Sequence, residues 1–257
     1  MNIKNQLLKV INNILKLFKI RLIKTSDSDL INYLDSKYYG PSFLATHIPE
    51  ELNNFLKGDN IKLLALKKKY KESNHPATNH SFWSEKTLMS KELDLSHFRG
   101  DNVYLWQFRS VGNNAQLKYA LYTYYIKSID SMHLLEKLEE DDCFGVNLFE
   151  VNNYKVSRDL LDSISEMYFL ERHLKLPQKK KLNILDIGAG YGRLAYRFSE
   201  VFKDNITNYY CVDAVAESTF LCDFYLKFRN VEKIAKSITL YKIESLVDES
   251  KIDIAIN

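Results

Sequence analysis

The chain has 257 residues, of which 46% are hydrophobic and 27% charged, and its formal net charge is +3. This length allows one large domain or two modest ones, and the composition excludes an intrinsically disordered chain. The small net charge gives no reason to expect nucleic acid as a partner, since proteins that bind phosphate backbones usually carry a strongly basic face.

The first predicted element is a basic amphipathic helix at residues 1–24. Its apolar side chains recur at intervals of three and four residues, and most of its lysine and arginine residues fall outside that stripe. Charges interrupt the segment too often for a transmembrane span, and no signal-peptide cleavage site follows it. Two interpretations stay open: a helix packed on the protein or on a partner, and a helix lying on an anionic membrane surface.

Residues 25–178 are predicted to form a mainly helical cap, or substrate region, with long loops. Apolar residues at helical spacing predict one helix within residues 115–139. They predict a second helix from Ser157, a plausible N-cap, to about Leu174. Within this region, segment 98–107 brings polar and aromatic side chains together around one glycine, and it is the best local candidate for a functional loop.

The cysteine and histidine residues indicate in which cellular compartment the protein is expected and whether it has a metal site. Cys143, Cys211 and Cys222 lack CxxC spacing and cannot all pair, which is typical of a protein in the reducing cytosol. The histidines are scattered and form no zinc-protease motif, so we predict no metal site. The expected location is the cytoplasm, at the inner face of the membrane if the N-terminal helix binds lipid.

A Rossmann-like domain is predicted to begin at residue 179, after Pro177 and a run of lysines. The apolar stretch 182–185 predicts a buried parallel strand. Leu194 and Phe198 are four residues apart and therefore share one face of a helix that follows the strand. A strand, a loop and a helix in this order form the unit that binds nucleotide-type ligands in many α/β proteins.

The loop between this strand and helix carries the sharpest motif in the chain. Gly188, Gly190 and Gly192 stand at alternate positions, where a sharp turn and a ligand on the backbone leave no room for side chains. A dinucleotide fingerprint would require its third glycine at position 193, which is an arginine. Asp186 would repel a pyrophosphate, so the motif favours a cationic or amine-bearing ligand.

This arrangement resembles the first motif of class I S-adenosylmethionine-dependent methyltransferases. The resemblance implies an α/β fold, with a Rossmann-like domain that binds S-adenosyl-L-methionine (SAM) through a partial parallel sheet. Asp213 ends a second predicted strand (208–213), at about the 20 residues from the loop that such units show. In the family, the carboxylate at this position binds both ribose hydroxyls, although a helix N-cap is an alternative role. The resemblance also implies that the zone after a third predicted strand (237–241) contacts adenine. The predicted cofactor-binding residues are Asp186, Gly188, Ala189, Gly190, Tyr191, Gly192, Asp213, Ile243 and Glu244.

The fourth predicted strand covers residues 252–257, where the sequence stops. The resemblance implies about seven strands, with the acceptor site beyond the ends of the fourth and later strands. We therefore expect a truncated sequence, with a natural four-strand variant as the alternative.

Several segments together resemble a bacterial family of sugar O-methyltransferases from polysaccharide gene clusters. The resemblance covers residues 80–257 and is carried by segments 82–83, 99–107, 157–163 and 184–198. It implies methyl transfer to a hydroxyl of a sugar or glycan precursor, with a general base that the sequence does not identify. The alternatives are transfer to another small molecule, a protein or RNA, and a non-catalytic SAM-binding fragment. The sequence predicts no oligomeric state.

Overall fold

The computed structural model describes residues 11, 43–44, 48–79, 95–100, 113–176 and 181–257. Apart from residue 11, the predicted amphipathic helix lies outside the described residues, so both of its interpretations stay predictions. In the described ranges, every helix falls short of the length and apolar character that crossing a bilayer requires.

The described residues form a mixed α/β chain, in which helices and strands alternate from residue 158 to residue 256. The helices and strands are β1 (Phe43–Leu44), α1 (Glu50–Asn53), α2 (Ile61–Ser73), α3 (Pro76–Asn79), α4 (Asn113–Ile129), α5 (Leu134–Lys137), β2 (Asn147–Val151), β3 (Tyr154–Val156), α6 (Arg158–Leu174), β4 (Leu182–Ile187), α7 (Arg193–Phe202), β5 (Ile206–Val212), α8 (Ala216–Phe228), β6 (Ala235–Ile238), α9 (Ile243–Glu249) and β7 (Ile254–Ile256). Two short 3-10 helices lie at Leu95–His97 and Leu240–Lys242.

A four-stranded parallel sheet in the order β6-β5-β4-β7 forms the centre of the C-terminal half. Side chains of neighbouring residues in a strand point to opposite faces. Ile184 and Tyr209 accordingly pack into the core with α6 and α7, whereas Leu185 and Tyr210 pack into a separate apolar cluster. Burial on both faces explains the continuous apolar run in β4. The predicted Rossmann-like α/β fold is confirmed.

The strand order places a topological switch point beside β4. The chain runs outward from β4 to β5 and β6 and then returns to pair β7 with the other edge of β4. In open α/β sheets, ligands bind outside the carboxyl ends of the strands at such a point. The glycine loop, which follows β4, lies there.

The predicted strands differ from the observed ones at their ends. The third predicted strand corresponds to β6. It ends at Ile238 and does not continue to residue 241, because the chain forms a 3-10 helix from Leu240. The fourth strand is β7, which is shorter than the predicted range of 252–257. The strands predicted around Ile184 and Tyr210 are confirmed, with β5 beginning two residues earlier than expected.

The single helix predicted within residues 115–139 is wrong, because the chain breaks after α4 and restarts as α5. The Asp130 carboxylate accepts hydrogen bonds from the backbone amides of Leu134 (2.7 Å) and Leu135 (3.0 Å). The Tyr168 hydroxyl donates to the same carboxylate at 2.7 Å. Asp130 thus satisfies the free amides at the start of a new helix, which a stripe of apolar residues does not reveal.

The region predicted to be mainly helical also contains a three-stranded antiparallel sheet, in the order β1-β2-β3. Its hairpin turns at Asn152 and Asn153, both with positive φ (50° and 68°). Asparagine tolerates that conformation better than most residues, so this dipeptide was an available hairpin signal. The helix predicted from Ser157 is confirmed: the Ser157 hydroxyl accepts a hydrogen bond from the Leu160 amide at 3.0 Å.

The two sides of the predicted domain boundary share one apolar core. Leu161 and Ile164 of α6 belong to the same buried cluster as Ile184 of β4 and Phe198 of α7. Residues 177–180 lie outside the described ranges, and the domain limits at residues 24 and 178 stay predictions.

Candidate functional site

The glycine loop forms a tight turn at the carboxyl end of β4. The amides of Gly188 and Ala189 both donate to the Val212 carbonyl at the end of β5, at 2.8 and 3.2 Å. The three glycines have φ values of 84°, 58° and 87°. Other residues adopt such angles only with strain, which confirms that the turn requires glycine.

Two of these glycines are required for different reasons. A Cβ on Gly192 would lie 3.0 Å from Cys222 Sγ and 3.3 Å from Leu226 Cδ2, so this glycine allows α8 to approach the loop. A Cβ on Gly188 would meet only the side-chain oxygen of Asn257, at 3.8 Å. Space for a ligand is therefore found at the first glycine, and close helix packing at the third.

Asp213 stands directly after β5 and faces the loop. Its Oδ2 accepts a hydrogen bond from the Gly190 amide at 3.0 Å, and its Oδ1 accepts one from the Val215 amide at 2.8 Å. The residue is half-buried, and burial raises the pKa of its carboxyl to about 6. Each oxygen has a second lone pair, so the carboxylate can still accept two hydroxyl donors. It is not the N-cap of α8, because that position is occupied by Val215.

Asp186 lies at the tip of β4 and is more deeply buried than Asp213. Its Oδ2 accepts a hydrogen bond from the Tyr209 hydroxyl at 3.0 Å. Burial raises the pKa of its carboxyl to about 6, although the hydrogen bond and the nearby Arg193 act in the opposite direction. A negative charge here is held at a cost in stability, and a cationic ligand would relieve that cost.

We expect Asp186→Asn to remove a pH dependence of the stability of the ligand-free protein. The unfolded carboxyl has a pKa of about 3.9, so the folded state binds the proton more tightly. The stability that this proton contributes is present below about pH 4 and is lost as the pH rises through 6. The unfolding free energy of the variant minus that of the wild type should therefore increase by about 1–3 kcal/mol between pH 4 and 7, measured by urea denaturation. A difference that stays level across this range would contradict the raised pKa.

The side chain of Tyr191 points away from the loop into the core. Its hydroxyl donates to the Asp159 carboxylate of α6. Its ring contacts those of Phe98 and Tyr225, with centroids 5.1 and 5.0 Å away. Only the backbone of this predicted cofactor-binding residue is therefore available to a ligand. The side chain instead fixes the loop between two glycines.

Arg193 occupies the position at which a dinucleotide motif has its third glycine, and its side chain is hydrogen-bonded to other residues of the protein. Its guanidinium donates two hydrogen bonds to the Glu166 carboxylate, at 2.9 and 3.0 Å, and one to the Ser163 hydroxyl at 2.9 Å. Such a bidentate pair fixes both partners in one geometry. Arg193 therefore joins the start of α7 to α6.

A buried ionic network, which no sequence motif indicates, lies behind the loop. Glu140 accepts hydrogen bonds from Arg99 (2.5 Å) and Arg197 (2.7 Å), and Arg99 Nε lies 3.6 Å from Asp159 Oδ2. Burial alone would raise the pKa of the Glu140 carboxyl, but the two guanidinium groups outweigh it and lower that pKa. The network joins Arg99, Asp159 and Arg197, which are residues of three segments on which the predicted family resemblance rests. Its residues lie far apart in the sequence and follow no common spacing.

The candidate loop at 98–107 is described only up to Gly100. Phe98 and Arg99 are both fully buried, so this part of the segment serves the core and the ionic network. Its role as a functional loop therefore rests on residues outside the described ranges and stays a prediction. Among the described residues, no three His, Cys, Asp or Glu side chains are grouped as metal ligands.

The zone predicted to contact adenine follows β6. Ile243, at the start of α9, packs against the apolar cluster that contains Val212 and Leu240, whereas Glu244 is exposed. Both residues are near the carboxyl end of β6, which pairs with the end of β5. Their contact with adenine stays a prediction.

Comparison with known proteins gives little further information. No family model and no curated protein matches the chain. Among solved structures, it is similar to the YcgJ protein from Bacillus subtilis, with 25% identity over 28% of this chain and a TM-score of 0.23. The match spans 30% of the YcgJ chain, so this chain covers less than a third of that protein.

Proposed function

We propose that this chain binds SAM and transfers its methyl group to a hydroxyl of a sugar or glycan precursor. The observation that carries the proposal is the carboxylate of Asp213, which is hydrogen-bonded to the amide of Gly190 within a loop of three glycines. A carboxylate and a glycine loop meet here at the switch point of a parallel sheet, where such folds bind nucleosides.

The residues at the site fit the parts of SAM. Asp213 has a free lone pair on each oxygen for the two ribose hydroxyls. The open space at Gly188 and the negative charge of Asp186 suit the amino acid and sulfonium end. Ile243 supplies an apolar surface and Glu244 a polar group for the adenine.

The same residues oppose a dinucleotide. Two carboxylates, Asp186 and Asp213, flank the loop on which a pyrophosphate would lie. The nearby cation, Arg193, is already paired with Glu166. Repulsion between like charges in a partly buried site is stronger than in water, so the site favours a ligand without phosphate groups.

When bound, SAM would supply a methyl group on a positively charged sulfur. The acceptor hydroxyl oxygen would take this methyl group as the carbon–sulfur bond breaks, with S-adenosylhomocysteine as the leaving group. The hydroxyl proton would pass to a base. The chain's own contribution is to align the donor through the loop and Asp213. The sugar part of the proposal is supported by the resemblance of segments 82–83, 99–107 and 157–163. No described residue is assigned as the base.

Calorimetry with S-adenosylhomocysteine tests the cofactor. We expect the wild type to bind, and Asp213→Ala to weaken binding by about 1–3 kcal/mol, or about 5- to 150-fold, because two hydrogen bonds to the ribose are lost. Asp223→Ala, which removes a half-exposed carboxylate on α8, is the matched control and should bind as the wild type does. An absence of wild-type binding would refute the cofactor, and an unchanged affinity of Asp213→Ala would refute the ribose contact.

The acceptor is tested separately, with isotopically labelled SAM and three panels of acceptors: nucleotide sugars and oligosaccharides, peptides, and RNA. Label in a sugar supports the proposed reaction. Label in a peptide or RNA would assign a different acceptor. Binding of the cofactor without transfer to any panel would favour the non-catalytic alternative.

A further inference from the structure

We infer that Tyr70, on α2, is a positioning residue for the adenosine half of the cofactor. This inference rests on the proposed function. Tyr70 belongs to residues 25–178, which the sequence predicts to be a cap or substrate region and not part of the SAM site. It lies 143 residues from Asp213 in the sequence, and no motif marks it.

The hydroxyl of Tyr70 makes three hydrogen bonds with three different segments. It lies 3.2 Å from the Asp213 carbonyl, 2.7 Å from the Thr219 hydroxyl, and 3.1 Å from the Leu240 amide. The hydroxyl accepts from the Leu240 amide and can donate to the Asp213 carbonyl, and in its hydrogen bond with Thr219 either hydroxyl can be the donor. Burial raises the pKa of this hydroxyl above its ordinary value, so it keeps its proton at neutral pH.

These partners are the segments that the proposed function assigns to adenosine. Asp213 carries the carboxylate for the ribose, and Leu240 begins the turn that leads to Ile243 and Glu244. The hydroxyl bonds the main chain at both places, so it sets the distance between the end of β5 and the turn after β6. A shift of either segment would move the ribose contact relative to the adenine contact.

The position of Tyr70 is itself fixed by the docking of α2 on α8. Lys67, one turn earlier on α2, pairs with Glu217 of α8 at 2.6 Å. Leu63 is fully buried in one cluster with Phe220 and Leu221 of α8. The ring of Tyr70 also meets that of Tyr241 edge to face, with centroids 6.3 Å apart. Because these contacts remain when only the hydroxyl is removed, the hydroxyl can be tested without undocking α2.

The test is the affinity of the full chain for S-adenosylhomocysteine, measured by calorimetry well below the melting temperature. Tyr70→Phe should weaken binding about tenfold, which corresponds to about 1.4 kcal/mol. Tyr125→Phe removes the hydroxyl of an exposed tyrosine on α4 and should bind as the wild type does. Thermal melting of the ligand-free variants confirms that they are folded at the temperature of measurement.

A double-mutant cycle separates positioning from a general effect on the fold. If Tyr70 acts through Asp213, the loss in Tyr70→Phe combined with Asp213→Asn is smaller than the product of the two single losses. Provided that the wild type binds, either of two results would overturn the inference. One is wild-type affinity in Tyr70→Phe, and the other is a loss of affinity in the double variant that equals the product of the two single losses. A wild type that does not bind would overturn the proposed function, and this inference with it.

Discussion

Glu140→Ala is expected to lower the unfolding free energy by about 3–5 kcal/mol, because it leaves two buried guanidinium groups without their shared carboxylate. Glu140, Arg99 and Arg197 are all almost completely buried. Arg99 would keep Asp141 and Asp159 as neighbours. For Arg197, Glu140 is the one carboxylate it pairs with in the described part of the chain.

Urea denaturation measures this loss, and an exposed ion pair provides the control. Lys227 and Asp223 of α8 lie four residues apart and are both about half exposed. Asp223→Ala should therefore change the unfolding free energy by less than about 1 kcal/mol. A loss of that small size for Glu140→Ala would mean that water or rearranged side chains compensate the buried arginines.

Gly192→Ala is expected to destabilise the chain by about 2–5 kcal/mol. The positive φ of 87° costs a residue with a Cβ about 1–2 kcal/mol. The new methyl group would also meet Cys222 Sγ at 3.0 Å, and crowding in a packed core costs about 1–3 kcal/mol more. Urea denaturation measures the loss.

The matched control is Gly58→Ala, because a Cβ there would meet no atom within 4 Å. Its effect should lie within about 0.5 kcal/mol of the wild type. Equal effects of the two substitutions would show that α8 yields to the methyl group and that close packing does not explain Gly192.

The parts of the fold that the sequence predicted are those encoded by neighbouring residues. The apolar run of β4, the three glycines and the helix α7 follow one another directly, so each constrains the next. Ser157 is likewise three residues from the amide that it caps. The break at Asp130 was missed because its effect depends on one side chain turning toward α5, where apolar spacing carries no information.

The parts that the sequence did not predict depend on long-range contacts. Glu140 is 41 residues from Arg99 and 57 residues from Arg197, so no local pattern relates them. Tyr70 is 170 residues from Leu240. Within a single sequence, an arginine that will be buried looks the same as one on the surface. The backbone of the glycine loop and of the strands beside it was therefore predictable, whereas the buried side chains that support the loop were not.

The buried ionic network has a consequence for how ligands could enter. It connects Arg99, from the N-terminal region, to α6 and α7 through charges that are sealed from water. Moving that region away as a rigid body would expose these charges to water or separate them from their partners, and it would disrupt the shared apolar core. A rigid-body separation of the N-terminal region from α6 and α7 is thus disfavoured, and we expect a ligand to reach the glycine loop through smaller movements of surface segments.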